Sequence, residues 1–246
     1  MNASSRLWEI DSARGIAILM MIVFHTVFDL SFFSMYPVDV ATGFWRYFAY
    51  ATASLFLLIA GVSLVVSHAR AAATRAGFAL AEKFLLRGAG IFALGLLVTA
   101  ATWLYLHEGY VIFGILHLIG ISVMLSPLFF RFGRLNILIG LMCIPAGWII
   151  SGMSGPAFLL PFGIIPQGFT SVDYTPIFPW FGMVLIGMGA GAYLYAGGMR
   201  QFSLHPLPDF VVTPLSFLGR HSLVIYLVHQ PVIILLLAAV TGIKVL

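Results

Sequence analysis

Residues 8–29 read WEIDSARGIAILMMIVFHTVFD. Every side chain from Ile16 to Phe24 is apolar, and with its flanks the run reaches the ~20 residues that an α-helix needs to cross a bilayer. Besides Glu9 at its start, four ionisable residues punctuate it. Asp11, Arg14, Ile18, Ile22, His25 and Asp29 recur at intervals of three or four, so a helix brings them onto one face. A cleaved leader is not expected, because the stretch contains Asp11, Arg14, His25 and Asp29 and shows no small-residue cleavage pattern. It reads as a retained first helix.

The rest of the chain has the same character. With 61% hydrophobic and 8% charged residues among 246, and a mean hydropathy of +1.07, there is too little polar surface to coat a water-soluble globule. Soluble domains carry about 25% charged residues. Apolar stretches long enough to span fall at 12–33, 44–67, 85–106, 111–130, 135–152, 176–196 and 214–238. The expected fold is all-α, a polytopic membrane bundle of about seven transmembrane helices in a single domain, 1–246. Residues 155–168 are apolar but carry Pro156, Pro161 and Pro166, which remove backbone donors. A re-entrant or interfacial segment near 155–170 is expected there, since irregular backbone at membrane depth must be shielded.

Basic residues orient the bundle. Numbering the helices as above puts Arg6, Arg70, Arg75, Lys83, Arg87, Arg131, Arg134 and Arg200 on the side of the N-terminus, against Arg46 and Lys244 on the other. This asymmetry places the N-terminus in the cytoplasm and the C-terminus outside. The formal charge of +4 reflects the same bias. Nucleic-acid binding is not implied, because no soluble basic region with interleaved aromatics exists. Segment 68–87 reads as a basic interfacial helix. The lone Cys143 has no partner for a disulfide and packs by default. Glycines 182, 187, 189 and 191 suggest close helix packing around the sixth span.

Function is sought where polar groups enter apolar helices, because a charge near the bilayer centre costs at least ~2.5 kcal/mol. At ~1.5 Å rise per residue, His25 stands ~16 Å beyond Arg14, towards mid-membrane. With Asp29 one turn further on, the carboxylate is expected to fix one imidazole nitrogen and leave the other as a base. In the last span, Arg220, His221, Tyr226, His229 and Gln230 interrupt the apolar run. Arg220 and His221 read as interface anchors or as a site, and His229 as a partner for a carbonyl freed by Pro231. His117 lies in the fourth span, and Tyr174 and Trp180 flank the outer entry of the sixth, where an acceptor could stack.

These residues also resemble a known family. Trp8–Glu9–Ile10–Asp11–Ser12–Ala13–Arg14–Gly15–Ile16–Ala17, then Phe24–His25 and Phe28–Asp29, is similar to the opening signature of the heparan-alpha-glucosaminide N-acetyltransferase catalytic-domain family, within the wider transmembrane acyltransferases. Lys83 to Gly95, Gly114 to Gly120, Asp173 to Gly182 and Leu218 to Pro231 resemble later blocks of its small prokaryotic members. The resemblance implies a cell-membrane enzyme that moves an acyl group, usually acetyl, from cytoplasmic coenzyme A thioester to a sugar or glycan-like acceptor reached from the far side. Acetyl-CoA is then the donor, and a homo-oligomer is left open. Arg14, with Asp11 and Arg220, is the candidate to hold the coenzyme. His25 and Asp29 are the candidate catalytic residues, and His117, Tyr174, Trp180 and His229 the acceptor contacts. Lysosomal members have Asn where His25 stands and a catalytic His shortly after, whereas no His lies between Thr26 and Ser67 here. His25 agrees instead with the His placed after the Arg in the O-acyltransferase branch.

Two other classes bear on the same residues. A proton-coupled small-molecule transporter also places Arg, His and Asp inside helices, but it commonly shows a repeated architecture with paired broken helices. No repeat is visible. A haem carrier needs axial ligands at facing depths, and His25, His117 and His229 show no evident pairing by helix. No metal site is expected, because no His-rich short motif exists.

Overall fold

The computed structural model describes residues 6–205 and 207–242. Lys244, which entered the charge count, and the C-terminal residue Leu246 lie outside the described residues. The chain is helical: α1 (Trp8–Phe32), α2 (Gly43–Ala72), α3 (Gly77–Leu106), α4 (Ile115–Phe129), α5 (Asn136–Ser151), α6 (Ile177–Leu194), α7 (Asp209–Arg220) and α8 (Ser222–Thr241). Two compact units are present, one of Leu57–Ser203 and one of the described parts of Ser5–Phe56 and Leu204–Leu246.

Among the described residues, six stretches are long and apolar enough to cross a membrane, and one of them, Ile115–Ser151, holds two helices. Gly133, with φ 49° and ψ −120°, breaks it, and Phe130–Leu135 forms a 3-10 turn between α4 and α5. The buried Asn136 side chain closes this turn by donating to the carbonyls of Phe129 and Gly133. Seven apolar helices result, in agreement with the reading of the sequence.

In the unit of Leu57–Ser203, α6 is the central element. Lipid offers no hydrophobic drive between helices, so close packing must hold them. A Cβ on Gly187 would lie 2.2 Å from the Leu58 carbonyl oxygen, and one on Gly61 2.1 Å from that of Val184. No side chain fits at either contact, so α2 and α6 touch backbone to backbone. Gly182 makes the same kind of approach to Gly140 of α5. The core around them comprises Leu57, Leu64, Phe84, Leu118, Val184, Leu185 and Met188.

One expectation is corrected and one is met. Segment 68–87 is not a separate interfacial helix, because α2 continues to Ala72 and α3 begins at Gly77, leaving a short turn whose Gly77 has φ 55°. Span 44–67 is correspondingly longer. The region 155–170 contains only a 3-10 turn, Ala157–Phe162, and a bridge between Ser154 and Ile165 draws its ends together. It is the irregular, returning segment that its prolines imply.

In the other unit, the predicted span 214–238 is broken at His221, whose φ of −100° and ψ of 13° end α7 before α8 begins. α7 runs antiparallel along α1. A Cβ on Gly15 would lie 2.1 Å from the Leu215 oxygen, and one on Gly219 1.8 Å from the Asp11 oxygen. Ser12 and Ser216, both buried, share a hydroxyl hydrogen bond of 2.9 Å between these glycines. The chain then reverses, and α8 meets α1 again at His25 and Asp29.

Candidate active site

The stripe on α1 survives folding, and its two ends meet different elements. At the N-terminal end, Arg14 Nη1 donates to Asp11 Oδ1 at 3.1 Å and to the Gly219 carbonyl at 3.2 Å. The guanidinium thereby ties α1 to the end of α7. Arg220 Nε donates to its own helix at Ser216 O, 3.1 Å, and its residue is exposed. Asp11 and Arg14 therefore meet the end of α7 at Gly219, while Arg220, the next residue, bonds only within α7 among the described residues.

Deeper in α1, His25 lies one ring from α8. Its Nδ1 is 2.9 Å from the Met21 carbonyl, an acceptor only, so Nδ1 carries a proton and the neutral ring presents a lone pair at Nε2. His229 is held alike: Nδ1 donates to the Tyr226 carbonyl at 2.6 Å, and Nε2 is buried without a partner among the described residues. The two rings meet edge to face with centroids 4.7 Å apart. The pairing that the sequence did not reveal is thus direct contact.

Asp29 departs from expectation. Its carboxylate, 1% exposed, does not bond His25 but accepts from Gln230 Nε2 at 2.6 Å. The backbone of α1 itself fixes the His25 tautomer through Met21, so Asp29 is released from that task. Gln230 was read from the sequence as one of the polar residues of the last span, but no role was assigned to it. The signal available was its position beside His229 in an otherwise apolar helix.

His117, Tyr174 and Trp180 belong to the other unit. His117 Nδ1 accepts the Gly114 amide at 3.2 Å, which forces the proton onto Nε2, and that atom faces Thr99 Oγ1 at 3.4 Å. Both nitrogens are engaged, and the ring is 1% exposed and packed against Phe92 and Phe113. Asp173, another residue without an assigned role, caps α4 from a distance by accepting the Ile115 amide at 3.1 Å, and it also accepts from the Thr175 hydroxyl at 2.9 Å. Burial raises the Asp173 carboxyl above the usual carboxylate range, against these lowering bonds. Tyr174 donates to Leu160 O at 2.7 Å, and burial pushes its hydroxyl up to about 12. Trp180 packs on the core of the unit. His117, Asp173 and Tyr174 thus tie loop backbone and helix termini together.

The sequence profile described as heparan-alpha-glucosaminide N-acetyltransferase, catalytic, matches residues 6–231, which takes in both the Arg14 junction and the His25–His229 contact. The chain belongs to this family. No curated protein and no solved structure matches it. A membrane-embedded acetyltransferase of the heparan-alpha-glucosaminide N-acetyltransferase family is consistent with the apolar helices, and no group of three His, Cys, Asp or Glu side chains suited to a metal occurs among the described residues.

Proposed function

We propose that this protein transfers an acetyl group from acetyl-CoA to an amine or hydroxyl of a sugar-like acceptor, with His25 as general base. The observation that carries the reading is the Nδ1 bond to Met21, which leaves His25 Nε2 as the proton-accepting atom inside an apolar unit. His25 Nε2 takes the proton of the acceptor as it attacks the thioester carbonyl, the C–S bond breaks, and the imidazolium returns that proton to the departing thiolate. General-base catalysis of this kind supplies about 10²–10⁴ in rate. His229, in ring contact, limits where the acceptor can approach. Asp29 acts on the acceptor rather than on the base.

The basic asymmetry supports a cytoplasmic N-terminus, which brings the Arg14 junction to the side where acetyl-CoA is found. Arg14 has the charge and geometry to meet a phosphate of the donor, and its bonds to Asp11 and Gly219 fix where it stands. Topology is tested with reporter fusions: a fusion after Arg134 reports cytoplasm if the orientation is correct, and outside if it is inverted. Activity is tested by incubating proteoliposomes of the purified protein with labelled acetyl-CoA and glucosamine. Covalent acetylation of the sugar with release of free thiol supports the reading. Uptake of unmodified sugar without thiol release would replace it with transport.

A further inference from the structure

Five buried side-chain atoms lack a hydrogen-bond partner among the described residues, and three belong to one cluster: Asp29 Oδ2, Gln230 Oε1 and His229 Nε2. Ser122 Oγ and Asn136 Oδ1 are single atoms elsewhere. The polarity of each cluster atom is fixed by its neighbour. Gln230 Nε2 donates to Asp29 Oδ1, and a flipped amide would set oxygen against oxygen, so Oε1 is the atom presented. His229 Nδ1 donates to Tyr226 O, so Nε2 presents a lone pair. All three unmatched atoms of the cluster are acceptors, and none is a donor.

A buried polar atom without a partner is costly, the more so where charge is involved. Three together, one of them a carboxylate oxygen, define the complementary ligand: a group rich in N–H or O–H. Asp29 is 1% exposed and forms no ion pair among the described residues, so a cation would also meet its charge. The cluster lies one helical turn from His25 on α1, and His229 itself touches the His25 ring. A group held by Asp29 and Gln230 therefore has its neighbouring atoms at the base.

We propose that Asp29 and Gln230, with His229 beside them, form the acceptor-recognition element of the enzyme and grip a hydrogen-bond-donating group of the acyl acceptor, either a protonated amine or adjacent hydroxyls. This rests on the acyl-transfer reading for its catalytic consequence, though not for binding. Asp29 is thereby a specificity residue, and Gln230 is its partner in setting which atoms face the acceptor.

The full-length protein in nanodiscs is tested with glucosamine and glucose as an amine and hydroxyl pair. In the transfer assay, Asp29→Asn and Gln230→Leu should each raise the KM for the preferred sugar on the order of tenfold or more, with the KM for acetyl-CoA unchanged. Asp29→Asn should also narrow the preference between amine and hydroxyl, which a merely structural role would not do. In the absence of acetyl-CoA, the preferred sugar should raise the melting temperature of the wild type and not that of Asp29→Asn. That arm stands even if no transfer occurs, in which case the acyl-transfer reading fails by itself. The inference is overturned if neither sugar shifts the wild type, if both folded variants keep the wild-type KM, or if the loss falls only on kcat.

Discussion

His117 and His229 are both buried histidines in apolar helices, and they are wired in opposite senses. His117 accepts a backbone amide at Nδ1 and presents its Nε2 proton to a threonine. His229, like His25, spends its Nδ1 proton on a carbonyl of its own helix and keeps a lone pair at Nε2. One ring closes its hydrogen bonds within the unit and the other leaves an acceptor unmet. Burial and residue type alone do not tell the two rings apart, and the atom left without a partner does.

The same substitution at both positions sharpens the contrast. His117→Gln should destabilise the protein by about 1–3 kcal/mol, because the Gly114 amide and the Thr99 hydroxyl lose a partner held in register, while acetyl transfer per folded molecule stays near wild type. His229→Gln should do the reverse, leaving the melting temperature nearly unchanged and lowering transfer about tenfold, the equivalent of one lost hydrogen bond to the reacting group. Thermal melts and initial rates on the same preparations measure both. If His117→Gln abolishes transfer without affecting stability, the distinction between the two rings is wrong.

A smaller effect is expected at Tyr174, whose bond to Leu160 O ties the irregular 155–170 region to the entry of α6. Tyr174→Phe should cost about 1 kcal/mol of stability and leave the KM for the acceptor in place; a raised KM would support the stacking role that the sequence suggested. The smallest effect concerns pH. Burial raises the Asp173 carboxyl, so the folded state holds its proton more tightly than the unfolded chain. Its contribution to stability is then full below the ordinary carboxylate range and is lost as pH rises through the raised value. Melts taken from acid towards neutral pH should show a decline that Asp173→Asn flattens.

Much of the architecture was legible because lipid demands it: apolar length gives the spans, and the stripe from Asp11 to Asp29 gives one polar face of α1. What stayed hidden depended on pairings far apart in the chain. Gln230 reaches Asp29 across 201 positions and Asp173 reaches Ile115 across 58, and no local pattern announces either. The (i, i+4) spacing of His25 and Asp29 suggested a bond between them, yet the Met21 carbonyl already stood four residues back along the same helix. The break between α7 and α8 was equally silent, since hydropathy continues across it. It arises from backbone torsion at His221 and from the close approach of Gly219 to Asp11.

In the proposed reaction His25 Nε2 is the proton acceptor of acetyl transfer. The most direct test of this role is the rate of acetyl transfer to glucosamine by purified wild type and His25→Ala in vesicles, with acetyl-CoA binding measured on the same samples. Loss of the base should lower the rate by about 10²–10⁴ with binding of acetyl-CoA retained. A folded His25→Ala protein that transfers acetyl at the wild-type rate would contradict it.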